Sequence, residues 1–196
     1  MNGIARILTD YVIYKGMVKE EERSIYEYGF VVAMETGLSL IIIFFVAGIL
    51  HMVVEGILFF IVFIPLRSYA GGLHLEHYWS CLALSCLTFS VILLLTKFAI
   101  MPTYIVFFII VFLELLVYCL YPVENINRKV DAVENEFFQK RLKKFLLIDM
   151  LIVGICIAFK NNSYLILIMT TFFMVAITML IGKYKNHRRK LKDAHY

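Results

Sequence analysis

Residues 65–81 read PLRSYAGGLHLEHYWSC and bring an arginine, a glycine pair, two histidines and a cysteine together between two apolar stretches. Ionisable groups beside lipid-compatible sequence are costly and by default suggest function. A thiol close to an imidazole makes a thiolate nucleophile with its own base. A free thiol has a pKa of about 8.5 and is only slightly ionised at neutral pH, so it needs a histidine or a helix N-terminus to become reactive. Cys81 can have both. The apolar run around it begins near Trp79, which puts Cys81 in a first helical turn, near the positive end of the macrodipole. Unpaired N–H groups at such a terminus can also hold an oxyanion.

Spacing leaves the identity of the base open. If 77–81 is helical, His77 and Cys81 stand at i and i+4 on one face. His74 is about 10.5 Å from Cys81 along a straight helix, too far for a direct hydrogen bond. It reaches the thiol only where the chain folds back, which Gly71 and Gly72 permit because glycine accepts backbone angles closed to other residues. Glu76 or Ser80 can orient an imidazole, but neither is singled out. Cys86, Cys119 and Cys156 lie inside apolar runs and read as small hydrophobes. Zinc-type Cys/His spacing is absent, and no metal or organic cofactor is expected.

The elements that must position these residues are membrane helices. The chain of 196 residues is 62% hydrophobic and 17% charged, with a mean hydropathy of +0.84. A soluble domain is nearer half apolar and a quarter charged. Full spans, which need about 20 apolar residues, are expected over 28–50, 79–98, 102–121 and 163–182, with a slightly short one near 143–160. The segment 53–66 is short, a thin span or a half-helix ending at Pro65. Proline there and the glycine pair beyond both argue against a continuous helix. All of the 19 basic residues except Lys97 and Lys160 fall on one side if the chain crosses six times. Cytoplasmic loops carry the lysine and arginine excess, so both termini and the 67–81 region are expected inside the cell. The net charge of +4 then reflects orientation and calls for no nucleic acid.

The expected fold is therefore all-α: a polytopic membrane protein with about six transmembrane helices and an N-terminal amphipathic interfacial helix. Residues 1–27 form a cytoplasmic amphipathic segment, because Ile4, Ile7, Leu8, Tyr11 and Val12 repeat with helical spacing. Arg6 and Asp10 interrupt them, so no cleavable signal peptide is expected. Residues 28–182 form the membrane domain and 183–196 a basic cytoplasmic tail. A competing class is a small transporter or channel subunit in which 65–78 is a re-entrant binding loop. Glu35 and Glu114 would then face a common polar cavity, and Asp149 is the other deep ionisable group. A non-catalytic sensor or scaffold is a third class.

The pattern Arg-x-x-x-Gly-Gly-x-His, with Cys seven residues further on, occurs here in a small chain with six expected spans. It resembles the accessory gene regulator B family. The resemblance implies a multi-pass bacterial cell-membrane cysteine endopeptidase with Cys81 as nucleophile and His74 as base. Arg67, Gly71 and Gly72 are supporting residues, and His77 matches no catalytic position. The implied substrate is a short amphipathic precursor peptide with an acidic C-terminal part. It would be cleaved through a thioester and cyclised by its own Cys or Ser to a thiolactone or lactone quorum-sensing signal. The implied partners are that peptide and the lipid bilayer, with a homodimer left open.

Overall fold

The computed structural model describes residues 2–71, 78–122 and 132–193. Over these the chain is helical throughout: α1 (Asn2–Tyr14), a 3-10 turn (Glu20–Glu22), α2 (Arg23–Ile49), α3 (Val53–Ala70), α4 (Tyr78–Phe98), α5 (Thr103–Leu120), α6 (Ala132–Ala158) and α7 (Asn162–Asp193). The protein is an all-α membrane protein. Val53–Ala70, Thr103–Leu120 and Asn162–Asn186 are long and apolar enough to cross a bilayer, and Gly37–Ile49 and Leu82–Phe98 are shorter apolar stretches. Ile41, Phe45, Leu87, Phe108, Phe112 and Phe173 all point outward, an apolar exterior that only lipid satisfies.

Tight turns at one end of the bundle join the helices into hairpins. After α2, His51 takes a positive φ of 56° and Met52 N–H donates to Ala47 O at 2.9 Å. After α6, Lys160 at 54° is followed by Asn161 N–H on Cys156 O at 2.9 Å. Both are left-handed caps that satisfy the last carbonyls of a helix. Asn162 then ties the third turn to its neighbour, its Nδ2 donating to Met101 O at 2.7 Å. The opposite end of the bundle therefore holds the exits of α3 and α5 and the entries of α4 and α6.

Helix α7 touches α3, α4, α5 and α6. Its buried Leu165, Ile168, Phe172, Val175 and Met179 share a core with Val106, Ile110, Leu113 and Val117 of α5. A second core joins α2, α3 and α4 around Ala47, Phe59 and Phe89, with Phe59 and Phe89 edge to face at 5.2 Å. Polar side chains within the helices turn back on their own backbone. Thr88, Ser90, Thr96 and Thr171 each donate to the carbonyl four residues earlier. That satisfies a hydroxyl where there is no water.

Helix α1 runs antiparallel to the start of α2. Arg6 pairs with Glu27 at 3.0 Å, and Arg23 with Asp10 and Glu20. Glu20 first, then Asp10, raise the proton affinity of the Arg23 guanidinium. Fully buried Ala5 and Thr9 form the small contact side, while Ile4, Ile7 and Tyr11 stay exposed.

Several expected boundaries move. The segment 53–66 does not stop at Pro65, which lies inside α3. Proline removes one helix hydrogen bond, but the next turn is held by packing, since Leu66 and Ala70 are buried in the core. Helix α2 begins five residues before the expected 28. Helices α6 and α7 run beyond their apolar parts into charged sequence, α6 from Ala132 and α7 to Asp193. Lys, Arg, Glu and Gln are good helix formers, so hydropathy marks the spans without marking where the helices end.

At Gly56 α3 packs closely against α2 and α4. A Cβ there would stand 3.3 Å from Ala47 Cβ and 3.3 Å from Phe89 Cζ, whereas Gly154 has open space around it. Gly56→Val should lower stability by about 1–3 kcal/mol through overpacking, and Gly154→Val should not. Thermal unfolding of both variants in the same detergent checks this.

Candidate functional site

Helix α3 ends at Ala70 and α4 begins at Tyr78, so the polar break of the sequence connects the end of one helix to the start of the next. Arg67 is in the last turn of α3, half-buried, with its Nη1 sealed from solvent. The C-terminus of a helix favours a cation there. Gly71 follows with φ 81° and ψ −162°, a region essentially closed to residues with a Cβ. The chain therefore turns sharply out of α3 at the first glycine of the pair. Cys81 lies in the first turn of α4, near the positive end of its dipole, as the apolar run from Trp79 implied. Its side chain lies outside the described part of the structure. Gly72, His74, Glu76 and His77 also fall outside the described residues, so the choice between the two histidines is not made by geometry.

Two positioning contacts had no signal in the sequence. Tyr69 stacks on Phe145 of α6 at 5.4 Å with 15° between the rings, and meets Phe138 edge to face at 5.9 Å. These rings hold the last turn of α3, and with it Arg67 and Gly71, against α6. They also bring the 138–145 stretch of α6 beside the site, with Lys140, Arg141, Lys143 and Lys144 within it. Lys143 lies 5.5 Å from the centre of the Tyr118 ring at the end of α5. This end of the bundle is strongly cationic, which favours a thiolate over a thiol and favours acidic ligands.

The remaining cysteines are free: Cys86 half-buried, Cys156 buried and Cys119 exposed near the end of α5. Glu114 lies within electrostatic reach of Asp149 on α6. Asp149 is 3% exposed, and its Oδ2 has no hydrogen-bond partner among the described residues. The Glu35 side chain, expected to share a cavity with Glu114, lies outside the described part of the structure. Among the described residues no group of three or more His, Cys, Asp or Glu side chains is placed to hold a metal ion.

Gly71→Ala would force a Cβ into this backbone conformation at a cost of about 1–3 kcal/mol. The turn out of α3 should shift, with loss of activity and normal membrane insertion. Tyr69→Phe should keep the ring stack and the activity, while Tyr69→Ala should lose both. Activity and insertion measured side by side for the three variants check this.

The family model for accessory gene regulator B matches residues 3–179 of the chain. No curated protein and no solved structure matches it.

Proposed function

The chain belongs to the accessory gene regulator B family, whose members process quorum-sensing peptide precursors, and from that premise we propose that it is a cysteine endopeptidase working through Cys81 and His74. The observation that carries this reading is the placement of Cys81. It is the one cysteine in the first turn of a helix, directly after the polar break and at the cationic end of the bundle.

His74 takes the proton of the Cys81 thiol, and the thiolate attacks a backbone carbonyl of the precursor. N–H groups at the start of α4 are available to the developing oxyanion. The imidazolium gives its proton to the leaving amine and the C-terminal fragment departs. The N-terminal part stays on Cys81 as a thioester. A Cys or Ser within that peptide then attacks the thioester carbonyl, closes a thiolactone or lactone, and returns Cys81 to its resting state. Arg67, in the last turn of α3, suits a substrate whose C-terminal part is acidic. The site faces the cytoplasm in a six-crossing arrangement, because the basic residues gather at this end of the helices.

With a precursor peptide in proteoliposomes, Cys81→Ala should lower cleavage by orders of magnitude, while Cys86→Ala, Cys119→Ala and Cys156→Ala each keep substantial activity. His74→Ala should be inactive and His77→Ala only weakened. A precursor whose internal Cys or Ser is replaced by alanine should accumulate as an adduct on Cys81. Intact-mass measurement would show that adduct, and neutral hydroxylamine would release it. Cleavage with no adduct, even from the alanine precursor, would sink the covalent mechanism. The absence of all cleavage under reducing conditions in bilayers would return the transporter reading to first place.

A further inference from the structure

Helix α6 carries a second feature on the face it turns away from the bundle. Its inward stripe is Leu142, Leu146, Asp149, Val153 and Cys156, all buried. On the opposite face Leu147, Leu151 and Ile155 follow at four-residue spacing and are 68%, 68% and 57% exposed. Such a row on a membrane protein is a track for hydrocarbon. The same face continues toward the N-terminus through exposed Lys144, Arg141 and Lys140 with no gap between the apolar row and the cations. Its charge is only partly balanced. Lys140 pairs with Glu136 at 2.6 Å and holds that carboxylate below its usual range. Lys144 makes no ion pair among the described residues. Arg141 lies over the Phe137 ring at 5.1 Å, a contact that uses the plane of the guanidinium and leaves its N–H edge for an anion.

We propose that this face of α6 is a binding site for one anionic phospholipid, its phosphate between Arg141 and Lys144 and an acyl chain along Leu147, Leu151 and Ile155. The continuity of cations and aliphatic side chains on one face decides for a lipid. An acidic peptide or a free anion would use the charges and leave the row below them unused. The site is distinct from the thiol chemistry, and neither Arg141 nor Lys144 has a role in it beyond the general positive field.

The test uses the full chain in a neutral detergent. Phosphatidylglycerol and phosphatidylcholine with the same acyl chains are titrated in turn, and bound lipid is counted by native mass spectrometry. Each cation near a headgroup contributes about fivefold in affinity, so phosphatidylglycerol should bind about thirtyfold tighter than phosphatidylcholine. Arg141→Gln/Lys144→Gln should remove that preference, and Arg141→Lys/Lys144→Arg should keep it. Lys183→Gln/Lys185→Gln on α7 removes the same charge elsewhere and should also keep it. Helical content by circular dichroism shows that the variants are folded. Equal binding of the two lipids, or an unchanged preference in the glutamine variant, would overturn the site. Displacement of the lipid by millimolar inorganic phosphate would overturn it in favour of a free-anion site, and displacement by an acidic peptide in favour of a peptide site. No arm reads peptide cleavage, so the outcome is independent of the enzymatic reading.

Discussion

A polar group inside a bilayer has to find its partner within the protein, and that requirement organises this chain. Threonine and serine hydroxyls bond back to their own helices. Helix ends close on left-handed caps at His51 and Lys160. Deep ionisable groups are few, and Asp149 is buried rather than turned toward lipid. Against this economy, the 65–81 stretch concentrates ionisable residues between α3 and α4. The helical ladder stops at Gly71, whose φ of 81° takes the chain out of α3. The break therefore begins where α3 ends.

The proposed chemistry gains from that placement. A thioester is an activated acyl group, and its value to a cyclisation is lost if water reaches it before the internal nucleophile does. A site between helix ends can exclude water on its bundle side while admitting a peptide from the membrane surface. The stack of Tyr69 on Phe145 serves the same end, because it keeps α6 and its cations from moving relative to Arg67.

Where the sequence was legible, it was so for physical reasons. The spans expected over 102–121 and 163–182 coincide with the apolar lengths of α5 and α7, because an apolar run in lipid has no alternative to helix. Of the span expected over 79–98, Leu82–Phe98 is the apolar part, a shorter stretch. Pro65 was misleading. The rule that proline ends a helix reflects a lost hydrogen bond and a steric clash, and here buried Leu66 and Ala70 hold the turn that follows. The charged parts of α6 and α7 were invisible to hydropathy, which measures fitness for lipid and not helix propensity. The Tyr69–Phe145 pair joins residues far apart in sequence, and no local pattern encodes such a contact. Cys81 was singled out by residue type and by its place beside a polar break, and the supporting roles of Arg67 and Gly71 come from the family resemblance. The choice of His74 over His77 rests on the family resemblance alone.

At the end of α5 the Tyr121 hydroxyl sits 2.9 Å from the Asn135 carbonyl oxygen and 2.7 Å from its Oδ1. One phenol thus joins the two helices at the root of the connection between them. With its ends already pinned, lengthening that connection costs little, since loop-closure entropy grows only with the logarithm of length. A change in the length of that connection would then leave the pairing of α5 with α6 in place, and the fold stands still around it.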